Sequence, residues 1–87
     1  MRFRGLAANA PDIFQYQLWI FDADRDDRYP VDGGVFDIPE GVAEVDVAIR
    51  ANLPVSEPTL FAVTVERPGG VVVSSRERIA TIAQALE

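Results

Sequence analysis

Turn-forming residues cut this chain into short pieces, and that spacing constrains its fold more than any other feature. The clusters Asn9–Asp12 (NAPD), Asp22–Pro30 (DADRDDRYP), Asp32–Gly34 (DGG), Pro39–Gly41 (PEG), Asn52–Pro58 (NLPVSEP) and Arg67–Gly70 (RPGG) are all loop chemistry. Between them lie short apolar segments rich in Val, Ile, Phe, Tyr and Trp. That rhythm predicts an all-β fold: a single small β-sandwich of about seven short antiparallel strands, of Ig-like or Greek-key type. The 87 residues suffice for one domain, 1–87, with no internal repeat or interdomain linker.

The strands can be placed by their alternation. Arg2–Ala7 sets Phe3 between Arg2 and Arg4. Phe14–Asp22 carries Phe14, Tyr16, Leu18 and Ile20 on one face. Its other face starts polar with Gln15 and Gln17, then turns apolar with Trp19 and Phe21. A strand apolar on both faces reads as central and covered on both sides. Val35–Ile38 follows, after a turn at Gly33 and Gly34. Val42–Ile49 alternates most cleanly, with Val45, Val47 and Ile49 opposed to Glu44, Asp46 and Ala48. Thr59–Glu66 points Phe61, Val63 and Val65 inward, with Leu60 and Ala62 on a second covered face. Val71–Val73 comes after the Gly69-Gly70 turn. Arg2–Ala7 and the last segment are the expected sheet edges, where a partner strand could add.

The C-terminal segment supports two readings, strand or short helix. Ser74 and Glu77 fit a capping box, and Ile79, Ile82, Ala83 and Leu86 recur at helical spacing. The same residues can form a strand over Arg78–Ala83. The local period favours the helix.

Composition excludes several functions. The net charge is −6 and all eight basic residues are Arg, a poor footing for nucleic acid or anionic lipid. There is no Cys, so there is no disulfide; with no His either, the usual zinc ligands are missing. No apolar run reaches the roughly 20 residues that span a bilayer, and no signal-peptide pattern is visible. Ser and Thr nucleophiles need a base, and neither His nor Lys is present. Ser56, Ser74 and Ser75 sit in turns, where hydroxyls bond backbone groups. Among 14 acids no carboxylate pair is singled out. The reading is of a protein that is not an enzyme, with no catalytic residue and no cofactor.

The acidic run raises a metal question. A calcium loop needs oxygen ligands at positions one, three and five, Gly at six and Glu at twelve. Asp22, Asp24 and Asp26 satisfy the first three. Position six is Asp27 and position twelve is Gly33, Pro30 interrupts the loop, and strands flank it. A solvated connection between strands is the expected reading, with no metal site. Trp19 and Tyr16 are read as core, with the indole N–H finding one partner.

Three blocks in order, Tyr16–Asp22 (YQLWIFD), Gly33–Phe36 (GGVF) and Leu60–Gly70 (LFAVTVERPGG), resemble the C-terminal, extracytoplasmic domain of anti-sigma-K-type anti-sigma factors. The resemblance implies a β-sandwich that takes part in sensing outside the cytoplasm, on a single-pass membrane protein. In that family a cytoplasmic segment binds the sigma factor, and stepwise proteolysis releases it. This chain would then be the outer domain alone, and the sigma factor would be bound only by a segment it lacks. A protein partner or protease would act on the extracytoplasmic side. The resemblance makes Tyr16, Leu18, Trp19, Phe36, Val63 and Val65 core, and Gly33, Gly34, Gly69 and Gly70 turn residues. It also tilts Arg78–Ala83 toward a strand. The chain departs from the family pattern after Gly70, and its Asp22–Gly33 block is longer and more acidic. The alternative reading is a soluble β-sandwich ligand-binding module, possessing a calcium site at Asp22–Asp26.

Overall fold

The structure is a computed structural model and describes residues 2–26, 29–42, 44–51, 53–71 and 78–84. Among these residues there are six strands and no helix: β1 Arg2–Arg4, β2 Gln15–Asp22, β3 Val31–Phe36, β4 Glu44–Asp46, β5 Pro58–Glu66 and β6 Ile79–Gln84. They form two sheets in which every pairing is antiparallel. One has the order β1-β4, the other β3-β2-β5-β6. The all-β class is as expected. Among the described residues the strands number six, where the turn spacing gives about seven. Val71 is not in a strand, and Val72 and Val73 lie outside the described residues.

The β2–β5 pair forms the centre. Tyr16, Leu18 and Ile20 stand opposite Val65, Val63 and Phe61, which makes one apolar face. The small sheet covers this face through Phe3 and Val45, and Leu6, Phe14, Phe36, Ile38 and Val47 complete the cluster. Phe3 stacks on Phe36 at 5.4 Å, and Tyr16 stacks on the same ring at 5.6 Å. On the opposite face Gln17 and Trp19 stand beside Thr64 and Ala62, and all four are buried. The Trp19 Nε1–H donates to Thr64 Oγ1 at 2.8 Å, so a buried indole and a buried hydroxyl satisfy each other.

The small sheet needs only three residues per strand. Phe3 and Val45 pair on its inner face. Arg2 lies opposite Asp46 and Arg4 opposite Glu44 on the outer one, where cross-strand opposite charges are favourable. Beyond Asp46 the strand stops, so Ile49 is exposed and does not join Val45 and Val47 at the core. Arg2–Ala7 likewise ends as a strand at Arg4.

One expectation is corrected. Gly33 and Gly34 are not a turn before β3; they lie inside it. Gln17 pairs with Val35 while Trp19 pairs with Asp32, so β3 takes an extra residue and bulges. Gly34 adopts φ +103°, and a Cβ on Gly33 would stand 3.0 Å from Leu18 Cδ2. Both features call for glycine inside a strand. Of the two readings of the C-terminal segment, strand and short helix, the structure shows the strand. Ile79–Gln84 is a strand, paired with β5 from Thr64↔Ile79 to Leu60↔Gln84. Long-range pairing with β5 overrides the local spacing, helped by the β-branched Ile79, Thr81 and Ile82. The Ser74–Glu77 capping pattern lies outside the described residues.

Candidate functional site

The acidic stretch that follows β2 is organised around one carboxylate. Asp22 is the last residue of β2 and is 3% exposed. Its Oδ1 accepts the N–H of Asp24 at 3.0 Å and of Glu57 at 3.2 Å, and its Oδ2 accepts the N–H of Ser56 at 2.8 Å. The Ala23 N–H donates to the Glu57 carbonyl at 2.9 Å, which ties the same two loops a second time. Arg25 donates to the Pro54 carbonyl at 2.9 Å, and its Nε stands 4.0 Å from Asp22 Oδ2. The Asp24 N–H, and then the Ser56 N–H, hold the Asp22 carboxyl below its usual range. Asp22 is therefore a bracket. It ties the 54–57 loop to the end of β2, where the β2–β5 register shifts between Phe21 and Asp22.

That arrangement decides what the three aspartates do. The Asp22 oxygens face backbone N–H donors, which a cation at that spot would meet head-on. Asp24 accepts a close hydrogen bond from the Ser56 hydroxyl. Asp26 is exposed, and its carbonyl accepts the Tyr29 N–H at 2.9 Å. Among the described residues no three His, Cys, Asp or Glu side chains gather to hold a metal. An open depression of about 430 Å³ lies beside the bracket, lined by Asp22, Asp24, Arg25, Pro54, Val55 and Ser56. Among the described residues the Ser56 hydroxyl donates to Asp24 and stands 3.4 Å from the Asp22 carboxylate, and carboxylates are weak bases for activating a nucleophile. The pair orders the loop.

A second polar cluster was not anticipated from the sequence. Gln17 is 1% exposed, and both polar atoms of its amide are bonded: Oε1 accepts the Val71 N–H at 2.9 Å, and Nε2 donates to the Val71 carbonyl at 3.0 Å. A primary amide here imitates a strand neighbour and holds the chain after the Gly69-Gly70 turn against the sheet. Gln15 acts beside it, accepting the Gly69 N–H at 2.8 Å and donating to Asp37 at 3.0 Å. Asn9 adds a third clamp. Its Oδ1 accepts the Ile38 N–H at 2.7 Å and its Nδ2 donates to the Phe14 carbonyl at 2.9 Å. The visible signal was the Gln-x-Gln alternation in an otherwise apolar strand; nothing local named the partners.

The strand edges offer a different kind of site. β1, β4, β3 and β6 are all outermost in their sheets among the described residues. The topology thus puts Arg2–Arg4 and the last strand at edges, as anticipated. A groove of about 230 Å³ runs along β3, between Val35, Phe36 and Asp37 on one side and Val45, Val47 and Arg50 on the other. The Arg50 N–H donates to the Gly33 carbonyl at 3.0 Å and ties the chain after β4 to β3.

No family model, no curated protein and no solved structure matches this chain.

Proposed function

We propose that this chain is a non-enzymatic interaction domain. Its most concrete form is the extracytoplasmic domain of a membrane-anchored anti-sigma factor of the anti-sigma-K type. The observation that carries the reading is where the polar side chains go. The Asp22 bracket, the Gln15–Gln17 clamp and Asn9 all bond backbone groups of their own chain. The fold spends its ordered polar chemistry on fixing loops, which leaves strand edges and exposed loops to meet other molecules.

The residues of the resemblance fit this use. Tyr16, Leu18, Trp19 and Val63 are buried, and Phe36 and Val65 pack against the same core. In this reading the two sheets are the halves of an Ig-like sandwich. The sigma factor is held by a cytoplasmic segment outside this chain, and signals or proteases act on the outer side.

Fractionation of cells that make the native polypeptide tests the proposal. An antibody to this domain is expected to find it in the membrane fraction. Protease added to spheroplasts should digest it, and the solubilised fraction should hold a sigma factor. Recovery in the cytoplasm, shielded from added protease, would overturn the anti-sigma form.

A further inference from the structure

The groove along β3 is a seam between the two sheets. β4 ends at Asp46, and the chain after it leaves the small sheet and bonds to β3 through Arg50 and Gly33. Among the described residues β3 pairs in its sheet with β2 alone, and its other side borders the seam. Phe36, Val45 and Val47 line the seam and pack against the core, and Val35, 39% exposed, adds an apolar wall.

Three charged side chains line the same groove, and they are not equivalent. Asp46 accepts from the Arg2 guanidinium at 2.8 Å. Asp37 accepts from Asn9 Nδ2 at 2.8 Å and from Gln15 Nε2 at 3.0 Å. Both acids are thus matched within the chain. Arg50 is exposed, and among the described residues no carboxylate stands within ion-pair distance of it. The seam is therefore apolar with one unmatched cation.

We propose that this seam binds the carboxyl-terminal end of an apolar peptide, with the free carboxylate on Arg50 and the last side chains against Val35, Phe36 and Val47. A guanidinium presents a planar fork of donors that matches a carboxylate through two parallel bonds. An extended chain suits a groove bordered by a strand, and four residues from Gly34 to Asp37 span about 10 Å, the length of a short peptide. The volume of about 230 Å³ falls below the roughly 300–1,000 Å³ of pockets that enclose a whole ligand, so it takes a chain end. The occupant ends there because Gly33 and Arg50 are bonded directly to each other, and no chain passes between them. This names a partner for the interaction domain proposed above and rests on that reading.

Titration of the isotope-labelled chain with acetylated Thr-Val-Thr-Val, free at its carboxyl end, tests this through amide chemical shifts. Saturable shifts are expected at Val35, Phe36, Ala48 and Arg50 below about 5 mM peptide, the weak range of a small contact. The same peptide amidated at its carboxyl end should bind about tenfold more weakly, because it loses the charge-assisted pair. So should an amidated peptide with Glu in last place, whose acid sits on a side chain. Arg50→Gln keeps the backbone N–H that bonds Gly33 and removes the cation. It is expected to bind the free and amidated peptides equally. Should that variant fail to fold, the free and amidated peptides on the unaltered chain decide alone. The absence of saturable shifts by about 5 mM overturns the proposal, as do shifts confined to other residues. Equal affinity of the unaltered chain for free and amidated ends also overturns it, as does a preference that survives Arg50→Gln. Only the purified chain and a peptide are used, so failure here leaves the membrane fractionation and the recovery of a sigma factor to stand or fall separately.

Discussion

The β2–β5 pair and the β1–β4 pair solve the same problem at different scales. β2 has five consecutive buried residues, Tyr16 to Ile20, and partners on both sides. It can use both faces because both are covered, and its polar residues there, such as Gln17, must each find a bond. β1 and β4 bury one face only, and Phe3 and Val45 are all they give the core. Their other face returns to salt bridges, Arg2 to Asp46 at 2.8 Å and to Glu44 at 3.0 Å. The first pair is held by burial, and its sequence cannot be changed lightly. The second is held by one buried contact per strand, and its charges mainly set register and keep the edge unattractive to other strands.

The largest effect should come from the centre. Leu18 is 0% exposed, and Leu18→Ala is expected to cost about 2–5 kcal/mol in urea unfolding, by lost transfer and by the cavity left behind. A loss of less than about 1 kcal/mol would mean that the central pair is not close-packed. Next comes the turn that Gln17 holds. Gly70 has φ +80°, and a Cβ there would stand 2.7 Å from Gln17 Oε1 and 2.8 Å from Val35 Cγ1. Gly70→Ala should cost about 1–2 kcal/mol from the left-handed backbone alone. A neutral result would place the clamp elsewhere.

The acid limb of stability sharpens the contrast further. Asp22 has a folded pKa below its unfolded value near 3.9, so its bracket stabilises the fold at higher pH. That contribution is lost as pH falls from about 4 through the lower folded value. Asp22→Asn should lower the melting temperature at pH 7 and flatten the fall in stability below about pH 4. An unchanged acid profile would remove Asp22 from the account. Asp46 shifts the same way because of its hydrogen bond to Arg2. That pair is exposed and screened, however, so Arg2→Ala is expected to leave the melting temperature within experimental scatter. A marked drop would show that the small sheet depends on its ion pairs.

How much of this could be read in the sequence follows the reach of each interaction. β2 and β5 were legible because alternation and β-branched or aromatic residues are local signals, and Trp19 and Val63 are buried as the pattern suggests. The β3 bulge was not legible. Asp-Gly-Gly reads as a turn, and only the approach of Leu18 makes it a strand with an extra residue. β6 was ambiguous for the same reason: Ile79, Ile82 and Ala83 fit a helix until β5 supplies the partner. The Asp22 bracket closes on Ser56 and the Gln17 clamp on Val71, bonds that span 34 and 54 residues of chain. The acidic run announced itself through composition, yet its ordering group is the single aspartate inside the strand.

Native-state hydrogen exchange, read residue by residue in dilute protein, tests the central claim most directly. Amides of Tyr16–Ile20 and Ala62–Thr64 that bond across the sheet should exchange only through global unfolding. Those of Arg2–Arg4 and Glu44–Asp46 should open at visibly lower free energy. Equal protection in both pairs, or β1–β4 outlasting β2–β5, would contradict the account.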